Sequence, residues 1–249
     1  MNERDQKYMS LVAHLVELRK RLIVSVIAIA AGFAVAFGLY HLVVPFLTEP
    51  FLALQLKSPL SQPLFVNNVT EGFVVRVKIA LIGGVILAFP VILYNAVRFV
   101  FPGLEKGERR TIAMTLAAAF LLAAGGFYYS YFQMIPLSLR FLTSAGFLPQ
   151  HVGILLSFRG NISFVLQLLL VTLVLFQLPV LLIVLLRLGV VKRRTALKAS
   201  RYVVVGAVVL SAILTPPDVV SQIALALPLI VLYFITLLVA RVFRLGGEE

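Results

Sequence analysis

The residues best able to do chemistry in this chain are few, and they sit at the edges of long apolar runs. Near the start, His14, Glu17 and Arg21 fall at i, i+3 and i+7, one polar stripe of a helix. Leu11, Leu15, Leu18 and Leu22 make an apolar stripe beside it. This predicts an amphipathic helix at the inner membrane surface, leading into an apolar run. Arg19, Lys20 and Arg21 suit a basic anchor, but an acid beside anionic lipid does not. Two readings fit Glu17: an ordinary i, i+4 pair with Arg21, or an acceptor for a cationic partner. A second acidic segment reads Phe101-Pro102-Gly103-Leu104-Glu105-Lys106-Gly107-Glu108-Arg109-Arg110. Carboxylates near a helix start suit its dipole, which accounts for Glu105. Glu108 has that reading or, again, a cationic partner. Gln177 lies among Leu, Val and Phe, where a polar group wants a partner in a neighbouring helix or another chain. Gln167 reads as structural. Asp218 follows two prolines and reads as an N-cap. Arg76 and Lys78 near Glu71 read as snorkelling cations. His41 and His151 read as interfacial. There is no cysteine, no His-Glu-x-x-His, no paired membrane aspartate and no Gly-rich phosphate loop. No metal, no cofactor and no enzyme activity are expected.

These residues need elements to hold them, and composition says which. Hydrophobic residues make up 61% of the chain and charged residues 13%, with a mean hydropathy of +1.05. A soluble domain is about half apolar and about a quarter charged. Lipid is therefore the solvent. A spanning helix needs about 20 mostly apolar residues. Six runs qualify or nearly so: 22–44, 73–97, 111–132, 162–186, 202–214 and 219–240. The fifth has only 13 residues before Thr215-Pro216-Pro217-Asp218, and the sixth contains Pro228, so helices 5 and 6 should be short. The first run is too long for a signal-peptide core and should be retained.

Charge sets the orientation. With the N-terminus inside, segments 1–21, 98–112, 187–201 and 241–249 hold 17 of the 22 Lys and Arg residues. The net charge of +12 is thus a topology signal. No basic soluble domain is left over for nucleic acid. Segments 45–72 and 133–161 are long, charge-poor and punctuated by proline, and should form structured extracytoplasmic loops. The expectation is one all-α integral membrane domain over 1–249, with six transmembrane helices and both termini inside.

The motifs along the chain resemble the TatC family, the polytopic subunit of the twin-arginine protein translocase. They are His14-Leu15-x-Glu17-Leu18-Arg19-x-Arg21-Leu22, Phe101-Pro102-Gly103-Leu104 with Glu108-Arg109, and Phe176-x-x-Pro179-Val180. Arg201-Tyr202, Thr215-Pro216-Pro217-Asp218, Ser221-Gln222 and Leu227-Pro228-Leu229 with Leu232-Tyr233 complete the order. The resemblance implies a receptor for signal peptides that carry an Arg-Arg pair, in a complex that exports folded proteins across the cytoplasmic membrane of a bacterial or archaeal cell. It places signal-peptide binding at Glu17, Glu108, Arg19 and His14. It places partner-helix contact at Gln177, Tyr202 and Asp218. It implies TatA-type and TatB-type single-helix partners, more than one copy of the chain in the complex, and proton-motive energy. The family frequently has Glu where this chain has Gln177, so no proton or charge can be carried there. A secondary transporter is the rival reading. It would need broken helices or ionisable pairs at the membrane centre, and the sequence offers little of either.

Overall fold

The computed structural model describes residues 11–55, 64–100, 109–144, 156–215, 218–243 and 245–246. These residues form helices and no strand; one isolated parallel bridge joins Phe65 and Ser157. In chain order the helices are α1 (Leu11–Gly38), α2 (Tyr40–Gln55), α3 (Glu71–Val100) and α4 (Arg109–Tyr129). Next come a π turn (Ser130–Met134), α5 (Ile135–Leu142), α6 (Phe158–Leu175), α7 (Leu178–Arg187), α8 (Arg193–Leu214) and α9 (Val219–Val242). Six stretches are long and apolar enough to cross a membrane: Val12–Gly38, Glu71–Phe99, Ile112–Leu142, Phe158–Arg187, Arg193–Leu214 and Val219–Val242. The all-α, six-helix expectation therefore holds.

The bounds differ where proline or charge misleads a hydropathy reading. The polar stripe of α1 does not precede the first span as a separate element; it is the start of the same 28-residue helix. Pro45 and Pro50 lie inside α2 rather than breaking it. The third stretch continues through Pro136 to Leu142, ten residues beyond the expected end at Phe132. The π turn makes this possible: the Ile135 N–H reaches back to Ser130 O, widening the helix just before a residue with no N–H of its own. The fifth stretch is 22 residues, not 13, because Arg193, Arg194, Lys198 and Arg201 extend it as helix without adding hydropathy. It and the 24-residue sixth are still the shortest two. The fourth is interrupted at Phe176–Gln177, where Pro179 leaves Leu175 O without its helical donor.

The chain forms two compact units, one of residues 1–43 and 73–121, the other of 44–72 and 122–249. In the first, α1 and α3 run antiparallel in a fixed register. His14 meets Phe99, Ser25 meets Asn95, Gly32 meets Gly84 and Phe37 meets Arg76. The glycines set the approach. A Cβ on Gly32 would stand 2.6 Å from Gly84 O, and one on Gly84 would stand 2.6 Å from Phe33 N. Small residues let helices pack closely in lipid, where no hydrophobic force drives them together. At the far end from His14, the Arg76 guanidinium donates to Phe37 O and lies 4.2 Å from the Phe37 ring centre.

The second unit answers the carbonyls that proline orphans. Pro50 cannot donate to Phe46 O, and the Tyr131 hydroxyl donates to it at 2.6 Å. Pro228 cannot donate to Ala224 O, and the Tyr129 hydroxyl donates to it at 2.8 Å. Both tyrosines stand at the π turn or beside it. α8 and α9 form a hairpin, tied by Tyr233 O–H to Ala196 O at 2.6 Å and packed around Leu186, Ala196, Leu237 and Ala240. Segment 64–71 is clasped to the start of α6. Phe65 exchanges backbone bonds with Leu156 and Phe158, and the buried Glu71 carboxylate accepts the Asn67 and Arg159 N–H groups.

Removing the Tyr131 hydroxyl should therefore leave Phe46 O unanswered. Tyr131→Phe is expected to destabilise the protein by about 1 kcal/mol. Pro50→Ala restores the missing N–H, so the double variant should recover most of the loss. Unfolding titrations in detergent check this; equal losses with and without Pro50 would refute the pairing.

Candidate functional site

The polar stripe of α1 is its covered face. His14, Glu17, Arg21 and Ser25 are partly buried, and Gly32 and Ala36 continue the same face fully buried. The leucine stripe is the open one: Leu15 and Leu22 are both 62% exposed. In water this would be inverted. In lipid it is the stable arrangement, because apolar side chains face the solvent and polar ones need protein partners.

Those partners lie on α1 itself and on α3. The His14 ring stacks on Phe99 with centroids 4.4 Å apart and planes 19° from parallel. Glu17 Oε1 accepts two bonds from Arg21, one from Nε at 2.9 Å and one from Nη2. The Ser25 hydroxyl donates to Arg21 O at 3.0 Å, and the buried Asn95 amide donates to Ser25 Oγ at 3.4 Å and to Val91 O at 3.0 Å. The result is a carboxylate held on a rigid helix, one turn from an aromatic stack. Phe99 is the last residue but one of α3, and segment 101–108 follows directly. Glu108 lies outside the described residues, as does Glu105. Arg19 points away from this face and is exposed. Of the predicted binding residues, His14 and Glu17 share one face and Arg19 does not.

The predicted partner-contact residues lie in the second unit. Gln177 sits at the break between α6 and α7, where Nε2 approaches Leu173 O at 3.5 Å. Tyr202 is 66% exposed on α8, with the Arg201 guanidinium over its ring. Asp218 is buried as the N-cap of α9: Oδ1 accepts the Ser221 N–H at 2.6 Å and Oδ2 accepts its hydroxyl. Its carboxylate is thus committed to the turn, as the capping reading expects. Gln167 Nε2 donates to Leu214 O at 2.9 Å, closing the end of α8 and bearing out its structural reading. Between α7, α8 and α9 lies an apolar cavity of about 310 Å³. Leu178 and Pro179, which follow Gln177, line one side of it, Gly206 and Ala207 another, and Tyr233 its end. No atom lies within 4 Å of where a Cβ on Gly206 would stand.

Sequence reasoning missed Phe99, Asn95 and Ser25. Asn95 carried the available signal, as an amide inside an apolar run. Phe99 carried none, since its role depends on a partner 85 residues away.

Comparison with known proteins accords with this arrangement. The sequence model of the family described as TatC, Sec-independent protein translocase protein, matches residues 13–228. The Sec-independent protein translocase protein TatC of Carboxydothermus hydrogenoformans is 34% identical over 241 residues, covering 96% of each chain. That of Aquifex aeolicus is 37% identical over 241 residues, covering 97% of this chain and 98% of its own. A crystal structure of the twin-arginine translocase receptor TatC superposes with a TM-score of 0.80 at 36% identity, covering 92% of this chain and 98% of that one. With its motifs in order, its six apolar helices and relatives matched along nearly their whole length, this multi-pass membrane protein belongs to the TatC family of protein translocase subunits.

Proposed function

We propose that the chain is the receptor for twin-arginine signal peptides and the core subunit of a translocase for folded proteins. It sits in the cytoplasmic membrane of a bacterial or archaeal cell with both termini inside. The distribution of 17 of 22 Lys and Arg residues supports that orientation. The observation that carries the reading is the covered carboxylate of Glu17, beside the His14–Phe99 stack and at the end of α3 from which segment 101–108 departs. A signal peptide docks its two guanidinium groups on Glu17 and Glu108. His14 positions α1 against α3. Arg19, exposed beside the site, contacts the peptide backbone or lipid phosphate. Arginine suits this site because its planar fork bonds a carboxylate with two N–H groups, which a lysine ammonium does not reproduce.

Single-helix subunits of TatA and TatB type then dock on the second unit, at the cavity between α7, α8 and α9. Gly206 and Ala207 support this, since small residues let a partner backbone approach closely. Gln177 offers an amide at the cavity edge, and Tyr202 an exposed ring. Asp218 acts through the turn it caps. More than one copy of the chain works in the assembled complex.

Two measurements test these assignments. A labelled Arg-Arg peptide should bind the purified protein in detergent. Its affinity should fall about tenfold to a hundredfold on Lys-Lys substitution, and likewise in Glu17→Ala or Glu108→Ala. Equal binding throughout would leave only unspecific membrane affinity. Independently, Gly206→Leu should fill the cavity and Gln177→Leu remove its amide. Each should reduce co-purification of single-helix subunits while leaving peptide affinity within about twofold of wild type, as for sites that share no partners. Undiminished partner recovery and export in both would disprove the docking site.

A further inference from the structure

We infer that Arg21 is a built-in stand-in for the signal-peptide arginine, and that exchange against it sets the preference of the site for arginine over lysine. This rests on the reading of Glu17 as a peptide-binding carboxylate. Three observations lead to it. First, Glu17 is already engaged: Arg21 Nε and Nη2 both donate to Oε1, which leaves Oε2 with no donor among the described residues. Second, the pair is shielded, with 20% of the Arg21 side chain and 19% of the Glu17 side chain exposed. An unpaired carboxylate there would be poorly solvated, so the empty site needs a cation of its own. Third, backbone and side chain of Arg21 are tethered differently. Its carbonyl is held by the Ser25 hydroxyl, itself bonded to Asn95 on α3. Among the described residues, its guanidinium is held by Glu17 alone. The guanidinium can therefore swing off Glu17 without disturbing the α1–α3 pair.

Selectivity follows from what exchange replaces. An incoming arginine returns two N–H donors in a planar fork for the two that leave, so the carboxylate loses nothing. An incoming lysine returns a single compact ammonium and leaves the carboxylate less well satisfied. A bare carboxylate would attract either cation. A carboxylate already occupied by arginine accepts only a ligand at least as good, which is discrimination by competition rather than by extra contacts. Arg21 also adds positive charge at the site, which opposes any dicationic peptide until it swings away.

The test uses the full chain in detergent with labelled Arg-Arg and Lys-Lys peptides. It compares wild type, Arg21→Gln, Arg21→Lys and Glu17→Ala. Arg21→Gln should tighten binding of both peptides, the Lys-Lys peptide more. The Arg-Arg over Lys-Lys ratio should drop about threefold to tenfold, between the worth of an open i, i+4 pair and a desolvated one. Arg21→Lys, which keeps the charge and loses the fork, should fall between wild type and Arg21→Gln. It supplies the same comparison if the glutamine variant does not fold. If Glu17→Ala loses binding but both Arg21 variants bind the Arg-Arg peptide equally or more weakly, or keep the wild-type ratio, the inference is overturned. Arg21 would then orient Glu17 instead of competing for it. If Glu17→Ala binds normally, the peptide-binding reading of Glu17 fails first, and in a variant that retains Arg21.

Discussion

A polar group inside a lipid-embedded helix bundle has no water to turn to, so the protein must answer it. Much of this structure follows from that constraint. Helices α2 and α9 carry Pro50 and Pro228, which free the carbonyls of Phe46 and Ala224, and Tyr131 and Tyr129 supply the missing donors. Gln167 answers the end of α8, and Asp218 the start of α9. Glu71 gathers two backbone N–H groups where segment 64–71 meets α6. None of these bonds carries a signal peptide. They keep helices with built-in interruptions intact, so that the polar groups with other tasks stand on rigid supports.

The same constraint makes the binding face of α1. Its leucines turn outward and its His14, Glu17, Arg21 and Ser25 turn toward cover. A carboxylate placed so is worth more than one in water, since neighbouring solvent screens it less. It is also less tolerant of an empty or ill-fitting partner. The demand that keeps α1 stable in lipid thus makes Glu17 a reader of guanidinium groups. The partner-docking face lies in the other compact unit and uses opposite means. A cavity with Gly206 and Ala207 in its walls offers contact rather than charge.

The six spans were legible because run length in lipid is a strong signal, and the bounds failed where that signal is indifferent to helix formation. Arg193 to Arg201 form helix without hydropathy. Pro136 reads as a stop, yet the π turn before it carries the helix onward. The interruption at Gln177 had a visible cause in Pro179, but a hydrophobic run conceals a break that costs no apolar residue. At the site, Glu17 and His14 stood out as polar residues on a helical stripe. Their surroundings did not, because Phe99 and Asn95 become neighbours only through the antiparallel register that Gly32 and Gly84 permit. The pairing of Glu17 with Arg21 was one of two readings of the spacing, and it is the one seen in the unliganded chain.

The most direct test of the account is where the arginine pair of a signal peptide lands. A peptide carrying a photo-crosslinking residue next to its Arg-Arg pair would be bound to the purified protein, irradiated, and the adducts mapped by mass spectrometry. The account predicts adducts within residues 11–25 of α1 and within 101–110, lost in excess unlabelled Arg-Arg peptide. Adducts concentrated instead on α8 and α9, with none on α1, would contradict it.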